Sequence, residues 1–197
     1  MNAELATALI RERLSPRRFK HSVQVAELAR EMATDFGIDG EKAYLTGILH
    51  DCAKGISGDE LLRIAEANGL IEDEVERRAP DLLHAPVGAF LLARDYGVGD
   101  VEILDAVRFH TLGNSQMSLL AKIIFLADAI EPGRDYPGVD QLRCVARRDL
   151  DRGIILSIDS TIKYCIDHDR PLHPRGIEVR NTLLLRRERE SRGLADT

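Results

Sequence analysis

Nearly every segment of this 197-residue chain repeats its apolar residues at helical spacing, and none sustains the alternation of a strand. That pattern leaves helix-on-helix packing as the available architecture and predicts an all-α single domain. Ser15 and Pro16 read as an N-cap and first helical residue, opening a helix that Gly37 closes. A second helix runs from about Asp39 to His50. Ser57-Gly58-Asp59-Glu60 has capping-box spacing, and its helix stops near Gly69. Pro80 and Pro86 frame a junction holding His84, followed by a helix to about Tyr96. Asp100 caps a segment ending near Thr111 and Gly113, and Ser118 opens the most apolar helix, which Pro132-Gly133 ends. Beyond Asp140 come a short and a long helical stretch, broken near Pro171 and Pro174. A last amphipathic helix carries Ile177, Leu184 and Leu185, and the polar run Arg186-Arg187-Glu188-Arg189-Glu190 reads as its solvated end. The organisation expected is an N-terminal helix over 1–16, a core over 17–135 and C-terminal helices over 136–197, with a polar tail after about 186.

Polar groups set into the apolar faces carry the chemistry. His50-Asp51 ends the run Tyr44-Leu45-Thr46-Gly47-Ile48-Leu49. Adjacent helical residues diverge by about 100°, so the pair rarely shares one packing role, yet both can reach an ion lying over the helix end. His21 is in register with Val25 and Leu28, His110 continues the Ile103–Val107 stripe, and Asp128 follows Leu120 and Ile124 at four-residue steps. An unpartnered carboxylate on such a face is costly, and a cation makes it reasonable. His84 sits beside a helix start, where free amides can also hold an anion. A single inward histidine is usually a hydrogen-bonded core residue; four of them with an isolated aspartate favour a metal site. His168 and His173 read as solvated loop residues, and Cys52 as a small buried one.

The bulk composition narrows the class. Formal charge −6 argues against a general nucleic-acid binder, the three cysteines form no CxxC and suit a reducing cytosol, and no stretch has membrane-spanning length. A cytoplasmic enzyme is expected. There is no HExxH, phosphate-loop, GxSxG or EF-hand pattern. Imidazole and carboxylate donors without thiolate suit Fe, Mn, Co, Ni or Zn.

His21, then His50-Asp51, then Asp128, in that order on helices, resembles the H…HD…D signature of the HD superfamily of metal-dependent phosphohydrolases, which implies an HD-domain helical bundle. Longer blocks resemble the YqeK family, the bacterial symmetrical diadenosine tetraphosphate hydrolases. These are Leu49-His50-Asp51-Cys52-Ala53-Lys54, Leu82–Ala89, Val107–Thr111 and the run from Met117 through Asp128 and Arg134 to Val139. The similarity extends from about Arg17 to Leu185. It implies iron as the metal, held by His21, His50, Asp51 and Asp128. It also implies substrate contacts from His84, His110, Lys54, Thr111 and Arg134 together with the ligands His21 and Asp128. His84 and His110 could alternatively hold a second metal. The residues alone leave Lys54 equally readable as a solvated helix terminus, and Arg134 as a partner of Asp135 or Glu131. Ala85, where the family usually has glycine, and the loop Leu112 with Asn114-Ser115-Gln116 depart from the pattern and bear on substrate preference.

The implied reaction is symmetrical cleavage of the tetraphosphate to two ADP by a metal-bound hydroxide, a cation lowering the pKa of coordinated water from about 16 towards 7. Asp51, with His84 and His110, would be the catalytic groups. The partners expected are this nucleotide and its product, with no nucleic acid and no membrane, and a homodimer is compatible. The rivals are another HD-type nucleotide hydrolase, acting on nucleotides, cyclic nucleotides or alarmones, and a non-catalytic nucleotide sensor.

Overall fold

The computed structural model describes residues 1–193. Eleven α-helices account for the secondary structure together with one 3-10 turn, and no strand occurs among the described residues. They are α1 (Ala3–Arg13), α2 (Pro16–Asp35), α3 (Gly40–Leu49), α4 (Gly58–Ala67), α5 (Glu74–Arg78), α6 (His84–Tyr96), α7 (Val101–Phe109), α8 (Leu119–Ile130), α9 (Val139–Ala146), α10 (Leu150–Asp167) and α11 (Pro174–Ser191), with the 3-10 turn at Pro80–Leu83. The all-α expectation holds, and the punctuation residues act as read. Ser15, Asp39, Ser57, Asp100 and Ser118 each accept a backbone N–H at a helix start. Each satisfies one of the donors that a helix N-terminus otherwise leaves unpaired.

The most apolar helix, α8, occupies the centre. Leu120, Ile123, Ile124, Leu126 and Ala127 are buried on nearly all sides, as expected of a helix without a polar face. Helices α2, α3, α7, α9 and α10 pack on it, and α1 adds Ala6, Ile10 and Leu14 to the same core. A smaller satellite core of Ala53, Leu61, Ala65, Leu83, Val87 and Leu91 sits under α4, the 3-10 turn and α6. The closest approach is between α2 and α3: a Cβ on Gly47 would lie 2.6 Å from the Ala26 Cα. Only hydrogen fits between these backbones, so glycine is required there.

Four readings change. Ser57 caps α4, but Glu60 pairs with Arg63 instead of returning to the cap. The reciprocal capping box lies at Asp73 and Glu76, opening α5, a helix the apolar period does not signal. His173 is not in a solvated loop: it is a buried N-cap for α11, its Nε2 3.5 Å from Glu76. The core-facing residues of α11 are Val179 and Leu183, while Ile177 and Leu185 are exposed. The polar stretch after 186 stays helical and mostly exposed to Ser191; residues 194–197 of that tail lie outside the described residues.

Candidate metal centre

Three of the four inward histidines stand at helix ends, where the chain turns their rings across the end of the bundle. His50 follows the last residue of α3, His110 the last residue of α7, and His84 is the first residue of α6. Each ring is tied the same way, through Nδ1 to the carbonyl three residues earlier. His50 donates to Gly47 at 2.7 Å, His110 to Val107 at 2.7 Å, and His84 to Asp81 at 2.5 Å. A carbonyl only accepts, so the proton of the neutral imidazole sits on Nδ1 and the Nε2 lone pair faces inward. His21 comes from the side of α2, with Nδ1 3.1 Å from Glu131 Oε1, a carboxylate–histidine pair of the kind that orients metal-bound imidazole.

The inner atoms converge. His21 Nε2 lies 3.0 Å from Asp128 Oδ1 and 4.0 Å from Asp51 Oδ2; His50 Nε2 lies 3.8 Å from Asp51 Oδ2 and 3.9 Å from Asp128 Oδ1. The other oxygen of Asp51 faces the other way: Oδ1 is 3.3 Å from His84 Nε2 and 3.6 Å from His110 Nε2. His84 and His110 approach each other at 3.0 Å between Nε2 atoms, and Thr111 Oγ1 is 3.2 Å from both. Two lone pairs cannot face each other at that distance unless a proton or a cation lies between them.

Burial sets the charge states. His50 is fully buried, which pushes its pKa down to about 4, so it is neutral at neutral pH. Burial likewise lowers His84, despite the opposing carboxylate of Asp51. Burial would lower His21 too, but the carboxylates of Asp128 and Glu131 outweigh it and raise its pKa. Burial pushes the Asp51 carboxyl up, yet the imidazoles of His50, His110 and His84 packed around it hold it well below the usual range. Asp128 is also held low: His21, His50 and Arg134 outweigh its own desolvation.

The donor set fits a divalent cation. His50 Nε2 is buried without a hydrogen-bond partner, as is His21 Nε2 despite its closeness to Asp128. Leaving a buried acceptor unsatisfied costs about 1–3 kcal/mol. Donors about 2.1 Å from one ion are about 3.0 Å apart at right angles and about 4.2 Å apart when opposed. The distances from the His21 and His50 Nε2 atoms to the Asp51 and Asp128 carboxylates, 3.0–4.0 Å, lie inside that window. Three overlapping trios have convergent donor atoms: His21, His50 and Asp51; His50, His110 and Asp128; and Asp51, His84 and His110.

The candidate ligand and substrate residues named from the sequence come to this cluster or its rim. Lys54 Nζ lies 3.2 Å from His84 Nδ1 and 3.5 Å from Asp81. Arg134 pairs with Asp128, through both its carboxylate and its carbonyl, and lies 3.8 Å from Glu131; Asp135 is not its partner. Asp128 is less enclosed than its apolar helix suggests, with its side chain 23 % exposed at the rim. Two residues were missed. Arg18 reaches Asp51 Oδ2 at 3.1 Å, and Glu131 orients His21. The signal for both was register: Arg18 precedes His21 by three residues, and Glu131 follows Asp128 by three. His168 is exposed, as expected, and Cys52 is buried with its thiol pushed up to about 12 by desolvation.

An HD-domain family model matches residues 18–133. The chain is 41 % identical over 174 residues to the symmetrical bis(5′-nucleosyl)-tetraphosphatase of Bacillus subtilis, covering 88 % of this chain and 93 % of that protein. It is 39 % identical over 185 residues to the protein of the same name from Halalkalibacterium halodurans, covering 94 % and 98 %. The crystal structure of an HD-superfamily hydrolase of Clostridium acetobutylicum, described as involved in NAD metabolism, superposes with a TM-score of 0.90 at 39 % identity, covering 94 % and 98 %.

Proposed function

The chain belongs to the HD-domain family, among the symmetrical bis(5′-nucleosyl)-tetraphosphatases, and from that premise we propose that it hydrolyses diadenosine tetraphosphate to two ADP. The observation that carries this reading is the buried, unpartnered Nε2 of His50 within a cluster of carboxylates and imidazoles, rimmed by Lys54, Arg134 and Thr111. An interior built for a cation beneath a cationic rim suits a polyphosphate.

His21, His50, Asp51 and Asp128 are the proposed ligands. A divalent cation bound there would supply activation of water and charge to offset the phosphoryl oxygens. Water oxygen adds to an inner phosphorus, the central anhydride bond breaks, and one ADP leaves on its bridging oxygen. Lys54 and Arg134 bind the phosphates and meet the charge that develops there. His84, neutral because it is buried, offers Nε2 to the proton released, which His110 Nε2 at 3.0 Å can share, and the Thr111 hydroxyl beside them can donate to a phosphoryl oxygen. Asp51, as ligand and neighbour of both imidazoles, orders the reacting groups. Of the domain divisions drawn from the sequence, 17–135 is the proposed catalytic core.

Iron is the proposed cation, on the family resemblance and the thiolate-free donor set; Mn, Co, Ni and Zn are the alternatives. A second reading of the metal content has its own support. Asp51 points one oxygen at His21 and His50 and the other at His84 and His110, so Asp51, His84 and His110 would be the residues to hold a second cation. Among the described residues no helix is long and apolar enough to cross a membrane, and we place the enzyme in the cytoplasm. Its partners would be the nucleotide and, in a homodimer, a second copy of itself.

The test is elemental analysis of the purified protein joined to product identification from diadenosine tetraphosphate. One or two transition-metal ions per chain and ADP alone are expected. AMP with ATP as products, or tight nucleotide binding without turnover at full metal occupancy, would overturn the proposal.

A further inference from the structure

A cavity of about 590 Å³ lies beside the metal cluster, between the end of α8, the 131–137 segment and α10. Its volume falls within the range of small-molecule sites. We infer that it is the subsite for one nucleoside of a dinucleoside polyphosphate, reached from the metal centre across Arg134. The inference rests on the function proposed above and adds where the substrate's base and ribose go.

Arg134 makes the connection. Its guanidinium pairs with the Asp128 carboxylate, and the residue is also among those lining the cavity. A phosphate chain held at Arg134 would therefore deliver its nucleoside end to this space. Aromatic residues are scarce in the chain, yet two of its four tyrosines, Tyr136 and Tyr164, line this one cavity. The Tyr136 hydroxyl donates to the Ala129 carbonyl at 2.8 Å, which fixes the ring. Tyr164 is 47 % exposed and stacks on His168 with ring centroids 4.1 Å apart at 29°. Arg170 also lies over the Tyr164 ring, 5.4 Å from its centroid, so a flat heterocycle would extend an exposed stack already formed.

The helix beneath repeats the theme. Ser157, Ser160, Thr161, Tyr164 and His168 recur along α10 and its C-cap at helical spacing. The buried face of the same helix carries Ile154, Ile155 and Ile158. The cavity face is therefore built from hydroxyls and aromatic rings, which is the chemistry that recognises ribose and base. Lys163 and Asp167 stand at the cavity as well, one suited to a phosphate and the other to ribose hydroxyls.

The chain has no tryptophan, so Tyr164→Trp introduces a single fluorophore into the proposed stack. In the metal-loaded enzyme, ADP should quench the introduced indole saturably at the concentrations that inhibit turnover, while inorganic tripolyphosphate should not. Ser160→Phe, which fills the space without touching a proposed ligand, should raise the KM for diadenosine tetraphosphate at least about tenfold, the size expected for one lost stacking contact. Its metal content and its inhibition by tripolyphosphate should be unchanged. Unaltered indole emission at inhibitory ADP, or an unchanged KM in Ser160→Phe, overturns the subsite. Quenching by ADP in the Tyr164→Trp variant, combined with a wild-type protein that cleaves no dinucleotide, keeps the subsite and overturns the function instead.

Discussion

Replacing Gly47 by alanine tests whether the closest helix contact in the molecule also sets the geometry of the metal cluster. The added Cβ would lie 2.6 Å from the Ala26 Cα, 2.9 Å from its nitrogen and 3.2 Å from its Cβ. Carbon atoms rest about 3.5–4.0 Å apart, so α2 and α3 must separate by about 1 Å. The obstacle is backbone, which cannot rotate away as a side chain can. Overpacking of this kind costs about 1–3 kcal/mol, and the better helix propensity of alanine returns up to about 1 kcal/mol. A net loss of about 1–2 kcal/mol corresponds to a Tm lowered by about 2–8 °C in a chain of this size. The same displacement acts on function, because α2 carries His21 and the Gly47 carbonyl holds the His50 ring. Thermal unfolding with and without added metal, together with metal titration of the stripped protein, measures both effects. Metal affinity should fall along with Tm. A useful control is Gly176→Ala in α11, where nothing lies within 4 Å and propensity alone acts, so Tm should hold or rise. A Gly47→Ala protein as stable as wild type, binding metal equally well, would refute the reasoning that this contact positions the ligands.

Asp51→Ala should abolish turnover and remove bound metal while leaving the helical circular dichroism near wild type; retained activity would take Asp51 out of the centre. Arg134→Ala should impair use of the dinucleotide more than metal content, and equal loss of both would assign Arg134 to holding Asp128 alone. Glu76→Ala removes the acceptor for the Glu72 and Asp73 amides and leaves the buried His173 without its neighbour. It should cost about 1–3 kcal/mol, read as a lower urea midpoint. Cys144 is exposed and Cys165 half-buried, whereas Cys52 is 4 % exposed. A thiol reagent should therefore count two groups in the native protein and a third only after denaturation; rapid labelling of all three would contradict the packing of Cys52 against Gly88 of α6.

The fold was readable where polar punctuation met an uninterrupted apolar period. Ser118 to Pro132 announces α8, and the four-residue steps from Leu120 to Asp128 place the carboxylate at the cluster. The period fails for α5, which is five residues long and buries only Glu76. Its signal was Asp73 with Glu76 three residues later, outweighed by the similar spacing of Ser57 and Glu60. On α11, apolar residues lie on more than one face, and only packing against Gly113 and α10 selects Val179 and Leu183. His173 looked solvated because its partner is almost a hundred residues away. Arg18 and Glu131 were hidden for a related reason: each reads as an ordinary surface charge until the helix opposite brings Asp51 or His21 to it.

The backbone ties on His50, His84 and His110 have a further consequence for how the protein comes by its ion. Because the rings are aimed by backbone carbonyls three residues earlier in the chain, the coordinating pocket is finished before any ion arrives, and loading adds little ordering cost. The ion is then a guest of a completed scaffold. Occupancy should accordingly be exchangeable in the folded protein, and the cation in residence should follow the supply around it as much as the intrinsic preference of the nitrogen and oxygen donors.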